Sequence, residues 1–167
     1  MRHPFCFGQI LVWFVTALVL GVSLYLQYTE ALLPCPLCLM QRGMTVLILG
    51  AAFLSMFLRR LRFARVSVAL VIFFAGAGVF FAARQLWLQS LPPNDTGMCL
   101  PGIEMLIHRL PWHEVLHAFV WGGSTGCGEV SWQFLGFSMA AWSLMYFSLI
   151  GIFELFLGVK YLRDERF

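Results

Sequence analysis

The residues best suited to chemistry are the two cysteines of Cys35-Pro36-Leu37-Cys38, which stand between two long apolar stretches. Pro36 suits the first position of a helix, where a proline's missing amide hydrogen has no intrahelical partner to lose. Cys35 would then lie near the N-cap and Cys38 one turn inside, where backbone amides and the helix dipole favour thiolate over thiol. Arg42, four residues after Cys38, would share its helix face and add a positive charge. This spacing predicts electron transfer between thiols and a lipid-soluble acceptor.

Two other interpretations of the cysteine pair stay open at this point. A Cys-x-x-Cys pair can be half of a zinc site, although structural zinc sites commonly use two such pairs and no second pair follows. Two cysteines can also be inert and simply buried as small hydrophobic residues. The remaining cysteines favour redox work, because Cys99 and Cys127 both fall in the one long polar stretch of the chain.

The composition predicts a membrane protein. Of the 167 residues, 60% are hydrophobic and 11% are charged, whereas soluble proteins carry about 25% charged residues. Four apolar blocks approach the roughly 20 residues that cross a bilayer as a helix, at about 9–27, 42–58, 66–83 and 137–159. We expect an all-α membrane protein in which residues 1–167 form one four-helix bundle, with a short loop at about 28–41 and a long loop at about 84–136. The net charge of +3 gives no indication of nucleic-acid binding, because the basic residues are confined to short loops.

The distribution of basic residues predicts the orientation. Eight of the eleven Lys and Arg residues fall on one side of the predicted membrane: Arg2, Arg59, Arg60, Arg62, Arg65, Lys160, Arg163 and Arg166. The positive-inside rule places both termini in the cytoplasm. Cys35, Cys38, Cys99 and Cys127 then face the opposite side, where disulfides persist. Cys6 stays alone on the reducing side, and we interpret it as a bystander.

The Cys99 and Cys127 pair in the long loop has two interpretations. A structural disulfide that staples the loop is the simpler one, and it is compatible with a non-catalytic membrane protein. A redox disulfide is the other, because thiol–disulfide exchange needs only a thiolate and an accessible sulfur. A loop disulfide next to the membrane-edge pair could therefore pass electrons to it in series.

The same loop contains His113-Glu114-Val115-Leu116-His117, which matches His-Glu-x-x-His. On a helix, His113 and His117 could hold zinc with Glu114 as the general base, as in a membrane zinc peptidase. No third ligand stands at a suitable spacing, and the apolar side of the segment is typical of a short interfacial helix. We therefore keep the zinc peptidase as an alternative and expect an interfacial helix here.

Three further features are interpreted from their place in the spans. Glu154, near the cytoplasmic end of the fourth span, is expected to snorkel toward Lys160 and the interface, although intramembrane carboxylates are functional candidates. Arg84, at the outer end of the third span, is expected to face water, with attraction of a polar headgroup as the alternative. Gly76 and Gly78 would let neighbouring helices approach closely.

With the cysteines placed, the chain resembles the bacterial disulfide-bond formation protein B family, the DsbB-type quinone reductases, over nearly its whole length. The resemblance rests on the four spans, on Cys35-Pro36-Leu37-Cys38 with Arg42 four residues on, on Cys99 and Cys127, and on Trp132-Gln133-Phe134-Leu135-Gly136 before the last span. The segment from Leu110 to Phe119 falls where that family has a membrane-lying helix.

The resemblance implies a relay of thiol–disulfide exchange. A reduced periplasmic thioredoxin-like oxidase of the DsbA kind would be re-oxidised through a Cys99–Cys127 disulfide, with Cys99 forming the mixed disulfide. Electrons would pass through an interloop disulfide to the Cys35–Cys38 pair and on to a membrane quinone, ubiquinone or menaquinone. Cys38 would be the thiolate stacked against the quinone ring, and Arg42 would stabilise that charge and polarise a quinone oxygen. The implied location is the bacterial inner membrane.

One stretch departs from the family pattern. Some members carry a histidine near the outer end of the third span that is implicated at the quinone, and residues 85–90 here contain none. Its role would be absent or covered by another group, with Arg84 and Gln85 as the candidates. A vitamin-K-epoxide-reductase-like enzyme would share the chemistry, but its Cys-x-x-Cys follows the loop cysteines, whereas here it precedes them.

Overall fold

A computed structural model describes residues 3–29, 36–57, 61–90 and 133–164, together with Pro111 and His113. These residues form four long helices: α1 His3–Thr29, α2 Pro36–Phe57, α3 Leu61–Gln89 and α4 Met139–Asp164. Two short strands, β1 Gln133–Phe134 and β2 Phe137–Ser138, precede α4. Each helix contains a segment long and apolar enough to span a membrane: Cys6–Thr29, Leu37–Met56, Arg65–Gln89 and Met139–Tyr161. The predicted all-α, four-span architecture is confirmed.

The helices extend beyond the apolar blocks from which the spans were predicted. Helix α2 begins at Pro36 rather than at residue 42, so Cys38 lies within the helix, and Pro36 occupies the predicted first helical position. Helix α3 continues to Gln89 rather than ending at residue 83, which makes Gln85 helical. Apolar composition marks only the hydrocarbon-facing length of a helix, and polar residues can extend it where their side chains find partners in the bundle.

The helices pack in chain order, each antiparallel to the next. Helix α2 packs against α1 and α3, and α3 packs against α4, whereas α1 meets α4 at few positions. One of these is the hydrogen bond that Tyr146 Oη donates to Thr16 Oγ1 at 3.0 Å. We call the end where α1 and α3 finish and α2 and α4 begin the thiol end, and the opposite end the terminal end. The largest buried apolar cluster lies between them and consists of Val12, Ile48, Ala51, Ala52, Val71, Ala75, Phe147 and Ile150.

The close approach of α3 to α4 depends on Gly78. A Cβ atom at this position would lie 2.4 Å from Cδ1 of Phe147, a buried ring at the centre of the core. The prediction of close helix contact is confirmed for Gly78 and is wrong for Gly76. A Cβ at Gly76 would meet no atom within 4 Å, because Gly76 is on the exposed face of α3. The two glycines are two residues apart and therefore point to different sides of the helix.

We expect Gly78→Ala to destabilise the bundle and Gly76→Ala to leave it nearly unchanged. The added methyl group at residue 78 must displace the Phe147 ring or separate α3 from α4, and overpacking of this kind typically destabilises a core by about 1–3 kcal/mol. The measurement is the free energy of unfolding in detergent micelles, followed by circular dichroism. Equal stability of the two variants would contradict the assigned α3–α4 contact.

Glu154 lies inside the bundle, so the prediction that it snorkels toward Lys160 is wrong. Its side chain has 0% exposure, and Gln9 Nε2 on α1 donates to its two oxygens at 2.9 and 3.0 Å. Ser55 Oγ on α2 donates to Gln9 Oε1 at 3.0 Å. Glu154 falls on the same face of α4 as the buried Ile150, four residues earlier, and this face turns its carboxyl group inward. The three side chains join α1, α2 and α4 near the terminal end.

A two-residue hairpin leads into α4. Strands β1 and β2 pair antiparallel, with Phe134 opposite Phe137. The turn residues Leu135 and Gly136 have φ values of 53° and 80°, the left-handed pair of a type I′ turn that matches strand twist. Left-handed geometry is unfavourable for leucine, so the residues of this turn do not indicate a hairpin. Ser138 Oγ donates to Gln89 Oε1 at 2.9 Å, so the hairpin is fastened to the end of α3.

Candidate functional site

Cys38 lies in the first turn of α2 at the thiol end. Its half-buried side chain packs with Phe81 against Leu37 and Leu88, whose exposures are 1% and 5%. Leu37 belongs to α2, and Phe81 and Leu88 belong to α3. The sulfur therefore faces α3 across an apolar contact, close to the end of the predicted membrane span that begins at Leu37.

Two buried amides lie on the polar side of the sulfur, and one of them contacts it. Gln85 Nε2 donates to Cys38 Sγ at 3.4 Å, and the Cys38 thiol is also within hydrogen-bonding distance of Gln85 Oε1, at 3.8 Å. Gln41 Nε2 donates to Gln85 Oε1 at 2.7 Å. Gln41 and Gln85 have exposures of 6% and 5%. We call Cys38, Gln41 and Gln85 the amide–thiol cluster.

Arg42 follows one turn after Cys38 and reaches in a different direction, toward α1. Its Nε donates to Ser23 Oγ at 2.9 Å, its Nη2 donates to the Ser23 carbonyl at 3.1 Å, and its Nη1 donates to Gln27 Oε1. These three bonds fix a half-buried guanidinium between α1 and α2. A guanidinium has five N–H donors, so its contacts with the described residues leave two N–H groups for another acceptor.

The structure brings only part of the predicted site into view. Cys38 and Arg42 are both at the thiol end, whereas the predicted site residues Cys35, Cys99 and Cys127 lie outside the described residues. Cys6 is a half-buried free thiol at the terminal end. Arg84 is half-buried, with an inaccessible Nε atom, and its contact with water or with a polar headgroup stays a prediction.

The zinc interpretation depends on His113, Glu114 and His117, of which only His113 is among the described residues. His113 is described and exposed, whereas Glu114 and His117 lie outside the described residues, as does most of the expected interfacial helix. Within the described part of the chain, no group of three or more His, Cys, Asp or Glu residues could hold a metal ion.

Three polar residues that support Cys38 and Arg42 were not predicted from the sequence, namely Gln41, Ser23 and Gln27, whereas Gln85 was a candidate only for the missing histidine. Gln41 and Gln85 hold each other, and Ser23 and Gln27 hold the guanidinium. A signal for them existed in the sequence. Each is a polar residue within or at the edge of an apolar block, and such residues usually face the interior of a bundle and often mark a site.

Comparison with known proteins identifies the family. The model of the family "Disulfide bond formation protein DsbB" matches residues 7–157. A disulfide bond formation protein B of Marinobacter nauticus is 42% identical over 165 residues, which cover 96% of this chain and 94% of the relative. Those of Nitrosococcus oceani and Acinetobacter baumannii are 35% and 39% identical, covering 86% and 81% of this chain and 85% and 81% of the relatives. The chain belongs to the DsbB family.

Membership in the DsbB family places the chain among disulfide bond formation proteins. The family match covers the second and third of the four segments long and apolar enough to span a membrane, and most of the first and fourth.

Proposed function

We propose that this protein is a membrane thiol:quinone oxidoreductase that re-oxidises a periplasmic thioredoxin-like oxidase of the DsbA type. The observation that carries the proposal is the position of Cys38 in a DsbB-family chain. Its half-buried sulfur lies in the first turn of a membrane-spanning helix, with the guanidinium of Arg42 one turn away. This depth would let a thiol meet an oxidant dissolved in lipid.

The proposed orientation follows the basic residues. Both termini would lie in the cytoplasm and the thiol end at the periplasmic face of a bacterial inner membrane, because most Lys and Arg residues flank the terminal end. All the cysteines except Cys6 would then lie on the oxidising side, where they can exchange with a soluble periplasmic donor.

The proposed relay consists of balanced thiol–disulfide exchanges. A thiolate of the reduced donor attacks Cys99, the Cys99–Cys127 bond breaks, and the donor leaves as a disulfide after its second thiol attacks the mixed disulfide. The resulting Cys99/Cys127 dithiol then reduces the Cys35–Cys38 disulfide by the same exchange. Each transfer moves two electrons, so the cysteine pair that donates them becomes a disulfide and the pair that accepts them becomes a dithiol.

The thiol end fits a quinone. Leu37, Phe81 and Leu88 form an apolar wall at the sulfur, and the two remaining N–H groups of Arg42 are donors for a carbonyl oxygen. Binding sites for such ligands are largely apolar with few polar groups. When bound, a quinone would supply a two-electron, two-proton acceptor for the Cys35/Cys38 dithiol.

The side chains at this end have distinct roles in the proposal. Arg42, fixed by Ser23 and Gln27, would hold an acceptor oxygen and stabilise negative charge that develops on it. Cys38 would give up its electron pair as its bond to Cys35 forms, releasing two protons from the pair. The apolar wall would exclude water from the sulfur.

The test is quinone reduction by the purified full-length chain in detergent, with a reduced DsbA-type protein as the electron donor. We expect donor-dependent loss of quinone absorbance with ubiquinone or menaquinone, and appearance of the donor disulfide in equal amount. A folded protein that reduces neither quinone would overturn the proposal. Zinc analysis with His113→Ala would then test the peptidase alternative.

A further inference from the structure

The amide of Gln85 contacts the sulfur of Cys38, and its nitrogen is closer to the sulfur than its oxygen. An amide side chain has a donor end and an acceptor end. Gln41 Nε2 occupies the acceptor end of Gln85 at 2.7 Å, and the donor end lies nearer to the sulfur, at 3.4 Å against 3.8 Å for the oxygen. The sulfur therefore faces an N–H group, which is a partner for a thiolate.

We propose that Gln85, oriented by Gln41, is a positioning residue that favours the thiolate form of Cys38. The inference rests on the proposed function and deepens it, since it assigns this chain's own residues to the thiol that would deliver electrons. Gln85 stands on α3 and Gln41 on α2, so the pair also fixes the distance between these helices at the site.

The surroundings strengthen the effect of these amides. Both glutamines are buried, and the sulfur packs against Leu37 and Leu88. A hydrogen bond to a charged group is stronger in such a low-dielectric place than in water. Without the N–H group, a thiolate here would lose a partner that the apolar wall cannot replace.

Two charged side chains also belong to the thiol end. The described residues place Arg42 on α2 and Arg84 on α3 at this end, and the described parts of α1 and α4 present no charged side chain there. Arg42 is engaged with Ser23 and Gln27 on α1. The amide of Gln85 lies in direct contact with the sulfur, at 3.4 Å.

The thiolate matters at a specific step of the relay. When an incoming thiolate attacks the sulfur of Cys35, the Cys35–Cys38 bond breaks and its electron pair stays on Cys38. Exchange is faster when the leaving thiolate is more stable. Gln85 would stabilise that leaving group, and Gln41 would keep its amide in the orientation that does so.

The experiment measures alkylation of Cys38 by iodoacetamide as a function of pH in the full chain, with Cys6, Cys35, Cys99 and Cys127 replaced by serine. Only the thiolate reacts, so the pH at half-maximal rate reports its stability. Gln85→Met keeps a similar length and removes the donor without adding a charge, and Gln41→Met removes the side chain that orients the Gln85 amide. Gln89→Met is the matched control, because Gln89 is one turn further along α3 and bonds Ser138 instead.

We expect the pH at half-maximal alkylation rate to rise by about one unit in Gln85→Met, with a roughly tenfold lower rate at neutral pH, and to rise less in Gln41→Met. Gln89→Met should follow the parent profile. Unchanged profiles in both test variants would overturn the inference. A shift to lower pH in Gln41→Met would overturn it too, because it would mean that the amide oxygen accepts from the Cys38 thiol.

This readout separates the inference from the proposed function. Alkylation needs neither donor nor quinone, so a shifted profile supports the role of Gln85 even in a preparation without turnover. Circular dichroism of each variant confirms that the bundle is folded before alkylation is measured. Conversely, the parent protein could reduce quinone while the variants show an unchanged alkylation profile. This result would support the relay and exclude a role for Gln85 in it.

Discussion

Replacing Cys38 by serine is expected to abolish donor-dependent quinone reduction, whereas replacing Cys6 by serine should leave it unchanged. A serine hydroxyl cannot form the disulfide or deliver the electron pair, and no other described cysteine lies at the thiol end. Cys6 is near the start of α1, and the span from Cys6 to Thr29 has 24 residues, about 36 Å of helix. A thiol that far from Cys38 cannot take part in exchange there.

The measurement is the rate of quinone absorbance loss with saturating reduced donor, for the parent protein and both variants. Thiol counting after acid quenching should show that Cys38→Ser still accepts electrons from the donor into the proposed Cys99–Cys127 disulfide. This result would place the block after the first exchange. Quinone reduction by Cys38→Ser at the parent rate would exclude Cys38 as the electron-delivering thiol.

Replacing Arg42 by leucine is expected to lower kcat/KM for quinone by about 100-fold or more, with donor oxidation by the loop disulfide preserved. Removing one preorganised donor to developing negative charge typically lowers rates by about 10²–10³-fold. Arg42→Lys should fall between the parent and Arg42→Leu, because lysine keeps the charge and loses the planar set of N–H groups.

Ser23→Ala supplies the matched control for Arg42. It removes the 2.9 Å bond to Nε and keeps the carbonyl bond at 3.1 Å, so the guanidinium stays near its place and only a small loss is expected. The assay varies quinone at fixed donor and compares KM with kcat. Parent-like quinone kinetics in Arg42→Leu would show that Arg42 only joins α1 to α2.

The sequence predicted the architecture well because the membrane imposes a strong pattern. Four apolar blocks separated by polar segments predict four helices, and the structure has them. Pro36 at the start of α2 also followed from local chemistry, since proline is favoured at the first helical position. Both conclusions depend on composition or on neighbours in the chain, which a sequence displays directly.

The predictions that failed concern residues whose surroundings depend on which face of a helix they occupy. Glu154 was assigned from its distance to a span end, yet its side chain turns into the bundle interior. Gly76 and Gly78 look equivalent in the chain, yet only Gly78 contacts α4. Gln85 was one of two candidates for the role of the missing histidine. Its place beside Cys38 depends on the packing of α3 against α2.

The bond between Ser138 and Gln89 has a consequence for the rates of exchange. It fastens the chain at the exit from α3 to the chain at its return into α4, one helical turn from Gln85. Cys99 and Cys127 each lie about ten residues along the chain from this joint, a length that spans at most about 35 Å. Thiols confined to such a volume meet at local concentrations on the order of millimolar. In the proposed relay, exchange between the two pairs is a step within one chain, and a high local concentration makes it fast, whereas the encounter with the soluble donor depends on the concentration of that donor.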